Sequence, residues 1–168
     1  MESKKTQIKI GKGRFFGLLL AVVTFLMLFT EWFKSEVSFW GATLKFKFNI
    51  FQEGVMDAGA CFAIAKVLAI ITLVIGILYI IELAINFVKL VPGLKKFKFG
   101  FNRLFGLVFY GLFTLAVLFN IIGCIAEDAA VPTARIIMIF IYLIIVVVLY
   151  AVPAIYRFAN KHFELVLE

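Results

Sequence analysis

The chain has 168 residues, of which 64% are hydrophobic and 16% charged, and it carries a formal net charge of +7. At a mean hydropathy of +1.10, a water-soluble domain of this size could not keep its apolar surface behind a polar exterior. The composition therefore predicts an all-α integral membrane protein, with residues 1–168 forming a single polytopic domain.

Four apolar stretches of 19 to 23 residues are predicted to span, each long enough at ~1.5 Å per residue to cross a ~30 Å hydrocarbon layer. The first covers about 15–33 and follows Lys4, Lys5, Lys9, Lys12 and Arg14. No small-residue cleavage site follows its apolar core, which is the pattern of an uncleaved signal-anchor helix. An external loop over 34–60 comes next. Within it Leu44, Phe46, Phe48 and Ile50 alternate with Lys45, Lys47 and Asn49. A period of two means a strand with one apolar face, and Val37 and Phe39 ahead of Trp40-Gly41 complete a hairpin over about 36–51. A lone hairpin needs a surface to cover it. The rim of its own bundle, a partner protein and the lipid interface are the candidates, with Trp40, Leu44, Phe46, Phe48 and Ile50 as the contact surface.

The second span is predicted over about 67–88, ending ahead of the helix-stopping Pro92-Gly93. A basic loop over 89–103 follows, in which Lys95, Lys96, Lys98 and Arg103 are interleaved with phenylalanines. Basic–aromatic alternation also occurs on nucleic-acid surfaces. Beside a span it places rings in the headgroup layer and ammonium groups in water, so these residues are assigned to anionic lipid headgroups and not to nucleic acid. The third span covers about 104–126. The loop 127–135 is short, which makes spans three and four neighbours. The fourth covers about 136–156, where Pro153 is expected to kink the helix and free a carbonyl that a neighbour must satisfy.

Twelve of the seventeen Lys and Arg residues fall on the side of the termini and the second loop. The opposite side holds five, against six acidic residues. This asymmetry predicts an antiparallel four-helix bundle with both termini cytoplasmic, and the small size and simple architecture point to the plasma (cytoplasmic) membrane. Four such helices with a stranded first external loop resemble the claudin-like tetraspan architecture, in topology alone. Claudins carry Trp-Gly-Leu-Trp followed by two loop cysteines, whereas Trp40-Gly41-Ala42-Thr43 is followed by no cysteine before Cys61. The resemblance therefore implies no barrier role. A short repeat, Arg14-Phe15-Phe16-Gly17-Leu18 against Arg103-Leu104-Phe105-Gly106-Leu107, fits either a duplicated hairpin or simply two Phe- and Leu-rich helix starts.

Glu82 is the sharpest chemical candidate. A carboxylate inside a span costs roughly 2.5 kcal/mol or more unless paired. Asn86 at i+4 and Lys89 at i+7 continue its stripe on one helix face. Two readings are open: a cation- or proton-binding carboxylate in a transport path, or a structural ion pair with Lys89, Arg14 or Arg103. Asn120, near the outer end of span three, is expected to hydrogen-bond a neighbouring helix. Cys61 and Cys124 fall at similar depth, so packed thiols, a disulfide and redox chemistry are all open. His162 is the sole histidine, and no Walker, GxSxG or HExxH sequence is present. The expectation is a non-enzyme without metal or cofactor. Its leading role would be that of an interaction, assembly or accessory subunit, partnered by the bilayer and by another protein or a second copy. The alternative is a small oligomeric transporter using Glu82, Asn86 and Asn120.

Overall fold

Long runs of Leu, Ile, Ala and Phe, broken only by short polar segments, make helix the cheapest way to satisfy the backbone. A computed structural model describes residues 9–40, 42–88, 102–126, 130–161 and 164–166. Its main helices are α1 (Lys12–Met27), α2 (Ala60–Val88), α3 (Asn102–Ala126) and α4 (Ala134–Ala151). The last three are each long and apolar enough to cross a membrane, while the apolar run of α1, Phe15–Met27, is shorter. A short α5 (Pro153–Lys161) follows α4. Two strands near the termini, β1 (Lys9–Gly11) and β5 (Glu164–Val166), pair antiparallel at one end of the bundle. At the other end β2 (Phe33–Phe39), β3 (Ala42–Phe48) and β4 (Ala130–Pro132) form an antiparallel sheet in the order β3-β2-β4.

In the bundle α2 packs on α3, α3 on α4 and α1 on α2. Thr24 and Tyr142 close the ring between α1 and α4 with a hydrogen bond of 2.9 Å. The Thr24 hydroxyl already donates to the Leu20 carbonyl at 2.7 Å, so Tyr142 is the donor. Small residues let the helices approach: Ala21, Ala65, Ala69 and Ala116 are fully buried. Gly17, one turn before Ala21, has nothing within 4 Å of its missing Cβ, so it makes no close approach. Nor does the Gly17–Gly106 correspondence of the sequence repeat extend to packing, since Gly106 is in close contact with Tyr150 and Tyr79. The exterior is as apolar as the core, with Leu26, Leu78, Met138, Ile141 and Ile145 all more than half exposed.

The first helix ends earlier than the apolar run suggested. Residues 28–30 tighten into i→i+3 bonds back to Phe25, Leu26 and Met27, as helix ends often do. The chain then leaves because side chains take over its carbonyls. Asn49 Nδ2 donates to Thr30 O at 2.7 Å and Leu28 O at 3.4 Å, and the Trp32 indole donates to Leu28 O at 3.1 Å. The expected first span, 15–33, is thus a helix to Met27 followed by a turn, with Phe33 already in β2. Conversely α2 starts at Ala60, seven positions before the predicted Val67.

The hairpin is present, from Phe33 to Phe48, with Phe39 opposite Ala42. Its strand stops before Ile50 because Asn49 turns the chain, its Oδ1 accepting from Phe51 N at 2.9 Å. Ile50 is consequently buried in the core instead of continuing the exposed face. The third strand was not foreseen. Ala130–Pro132 pairs with Phe33–Ser35, so the loop between α3 and α4 is a sheet edge. Thr133 fixes it there: its hydroxyl donates to Glu31 O at 2.8 Å, its N–H to Trp32 O at 3.2 Å, and its Oγ1 accepts from Ile136 N to cap α4.

Pro153 separates two helices instead of kinking one. Val152 before it is extended (φ −90°, ψ 110°), as a residue preceding proline prefers, and Pro153 opens α5, where its missing N–H is harmless.

Asn49→Ala and Thr133→Val each leave carbonyls of residues 28–32 without their donors. Each should lower stability by about 1–3 kcal/mol, seen as a lower thermal unfolding midpoint in detergent and faster proteolysis between residues 33 and 59. Unchanged midpoints would mean that water replaces both side chains.

Candidate functional site

Two places concentrate chemistry: the hairpin at the sheet end and a polar cluster inside the bundle near the terminal end. In the hairpin Phe33, Ser35, Leu44, Phe46 and Phe48 share one face by register. At its base that face is sealed. Phe33 is 4% exposed and stacks on Phe48 at 5.1 Å and on Phe62 of α2 at 4.8 Å. Towards the tip it opens, with Phe46 47%, Leu44 53% and Trp40 94% exposed. The predicted contact surface is therefore divided: Trp40, Leu44 and Phe46 face outward, while Phe48 and Ile50 belong to the packing below. Trp40 has φ 51°, the left-handed region that two-residue hairpin turns demand and that costs a non-glycine residue about 1–2 kcal/mol. The opposite face carries Lys34, Glu36, Lys45 and Lys47. Lys45 meets Glu36 at 3.1 Å and Lys34 meets it at 3.8 Å, and Lys47 meets Glu31 at 3.1 Å, which relieves the direct opposition of Lys34 and Lys47. One face is apolar and the other is an ion network of three lysines and two glutamates.

Inside the bundle Glu82 is 8% exposed, on α2 one turn after Tyr79. Tyr79 and Tyr150 share a hydrogen bond of 2.9 Å between their hydroxyls. Tyr110 packs against both, at ring distances of 6.2 Å and 5.0 Å. Arg103 enters from the start of α3, where its Nε and Nη2 donate to the Tyr150 and Ala151 carbonyls at 2.9 Å and 2.8 Å. These are carbonyls of the last turn of α4, left open where the helix breaks at Val152, and an arginine from the neighbouring helix supplies donors to both. Its guanidinium also lies 5.8 Å from the Tyr156 ring. Arg103, expected at lipid headgroups, is thus engaged by the protein itself.

The tyrosines were not singled out in the sequence, although all five lie within the apolar stretches. Buried hydroxyls seek partners, so that distribution was a readable signal. Asn86 lies on α2 a turn after Glu82, and its side chain is outside the described part. Lys89, Lys95, Lys96 and Lys98 lie outside the described residues altogether. Asn120 is fully buried, and its amide has no hydrogen-bond partner among the described residues, so the expected helix-to-helix bond is not formed. Cys61 and Cys124 are both free. They are at the same depth, since a Cβ on Gly123 would fall 3.3 Å from the Cys61 Cβ. Among the described residues no group of His, Cys, Asp and Glu could hold a metal ion. Compared with models of protein families, with curated proteins and with solved structures, the chain matches none.

Gly106 decides whether the tyrosine cluster can close. A Cβ there would stand 2.5 Å from a Tyr150 ring carbon and 2.8 Å from the Tyr79 hydroxyl. Gly106→Ala should therefore destabilise by about 1–3 kcal/mol. Gly111→Ala on the same helix meets nothing within 4 Å and should be neutral or stabilising by up to about 1 kcal/mol. Thermal unfolding of the two variants side by side checks the packing, and equal effects would refute it.

Proposed function

We propose that this chain is a four-span membrane protein that works by binding another protein through the tip of its sheet-end hairpin, as an assembly or accessory subunit. Three helices long and apolar enough to span support the membrane placement, together with an exterior rich in exposed Ile, Leu and Met. The fourth span is α1 with its following turn: 16 helical residues reach ~24 Å, and residues 28–32 complete the crossing. The charge asymmetry orients the sheet outward and both termini inward, in the plasma (cytoplasmic) membrane. The amphipathic α5 then lies at the inner interface beside its basic neighbours.

The observation that carries the binding role is the tip itself. Trp40, Leu44 and Phe46 stand exposed on a face whose base is sealed by Phe33, Phe48 and Phe62. Exposed Trp and Phe grouped on one element are typical anchors of protein interfaces. Joint replacement of Trp40, Leu44 and Phe46 by Ser should abolish recovery of a stoichiometric partner from native membranes in mild detergent. The unfolding midpoint should stay within about 2 °C, because these side chains support no core contact. A partner retained by the triple variant would overturn the reading.

The burial of Glu82 favours a second reading, ion or solute transport by an oligomer. That reading expects flux in liposomes that Glu82→Gln eliminates without loss of folded protein. Absence of flux from the wild-type protein, or flux indifferent to the substitution, would remove it.

A further inference from the structure

We propose that the pocket between the three-stranded sheet and the start of α2 binds a quaternary ammonium group, either a free small organic cation or the trimethylammonium of a choline lipid headgroup. The pocket has a volume of about 290 Å³ and is lined by Phe33, Ser35, Phe48, Glu53, Val55 and Phe62, with small residues completing the wall. That volume lies at the lower edge of the ~300–1,000 Å³ typical of ligand sites, which suits a head group and excludes an intact lipid or a folded peptide.

Its chemistry selects the ligand. Phe33 stacks on Phe48 at 5.1 Å and meets Phe62 at 4.8 Å; Phe33 and Phe62 are buried, so Phe48, the most open of the three, presents the aromatic surface to the pocket. Glu53 is the one charged residue in the lining. Three lysines of this end pair with other carboxylates, Lys34 and Lys45 with Glu36 and Lys47 with Glu31, while Lys66 donates to the Gln52 carbonyl at 2.7 Å, next to Glu53 in the chain. Among the described residues Glu53 has no ion-pair partner. Aromatic faces attract cations, and an adjacent carboxylate adds charge complementarity. A primary ammonium brings three N–H donors, and beside Glu53 the only side-chain acceptor in the lining is the Ser35 hydroxyl. A trimethylammonium needs no hydrogen bonds and presents methyl groups to the rings. An anion would meet the Glu53 carboxylate, and an uncharged hydrocarbon would leave it without a counter-charge.

The site is distinct from the hairpin tip, so it stands or falls apart from the partner-binding role. The test is titration of tetramethylammonium chloride into the purified full chain in maltoside detergent, by calorimetry or saturation-transfer NMR, against sodium chloride of equal ionic strength. Saturable binding is expected, weakened about tenfold or more by Glu53→Gln and abolished by Glu53→Lys. Glu53 is exposed, so both variants should fold, and their unfolding midpoints verify it. In parallel, protein from nanodiscs of equal phosphatidylcholine and phosphatidylglycerol is analysed for retained lipid by mass spectrometry. Tetramethylammonium binding alone assigns a free cation. Glu53-dependent retention of phosphatidylcholine assigns the headgroup, with or without the soluble ligand. Neither signal, or a Glu53→Gln protein that binds like the wild type, overturns the proposal. The Trp40, Leu44 and Phe46 triple variant should bind the cation normally, which separates failure here from failure of partner binding.

Discussion

Five consecutive carbonyl-bearing residues, Leu28 to Trp32, hold the sheet end together. A helix that stops must find donors for its last carbonyls, and here those donors come from distant parts of the chain. Asn49 reaches back from the end of the hairpin to Leu28 and Thr30, and Thr133 reaches across from the start of α4 to Glu31 and Trp32. The Trp32 N–H in turn donates to the Phe48 carbonyl at 2.8 Å. One short segment thus fixes where α1 ends, where the hairpin begins, and where α4 starts. The aromatic stack of Trp32 on Phe113, at 5.9 Å, connects the same segment to α3.

The same logic operates at the opposite end with different residues. The helix breaks at Val152 ahead of Pro153, so the carbonyls of Tyr150 and Ala151 in the final turn of α4 need donors from outside the helix. Arg103 supplies two charge-assisted bonds to them and rests on Tyr156. The neighbouring tyrosines pack tightly because Gly106 has no side chain to obstruct them. Between these two ends the interior is mostly hydrocarbon, and its buried threonines bond back to carbonyls of their own helices. The polar groups at the ends therefore locate the helices along the bundle axis, and shape complementarity does the rest.

For function, the consequence is a division of labour along the axis. The interior is packed, and the sheet end carries the exposed hairpin residues Trp40, Leu44 and Phe46. Its hairpin is anchored at the base by three phenylalanines and bare at the tip. On the other face three lysines share two glutamates, so the apolar residues and the ion pairs stand on opposite sides of the hairpin.

The number of apolar segments, the hairpin and the presence of a buried carboxylate were all legible in the sequence, because each depends on local pattern: length of an apolar run, a period of two, a lone charge among aliphatics. The split of the contact surface was not, since Leu44, Phe46, Phe48 and Ile50 look equivalent until Asn49 turns the chain and α2 covers half of them. Nor was β4, whose Ala130-Val131-Pro132 has no strand period and pairs only because Thr133 pins it beside Glu31 and Trp32. Arg103 read as a headgroup contact, since a basic residue at a helix end looks the same whether lipid or the open carbonyls of a neighbouring helix end await it. By itself the sequence determined which segments are apolar, where they break and which segments carry the positive charge. Only the tertiary structure decided which polar groups meet, because hydrogen bonds between residues a hundred positions apart have no local signature.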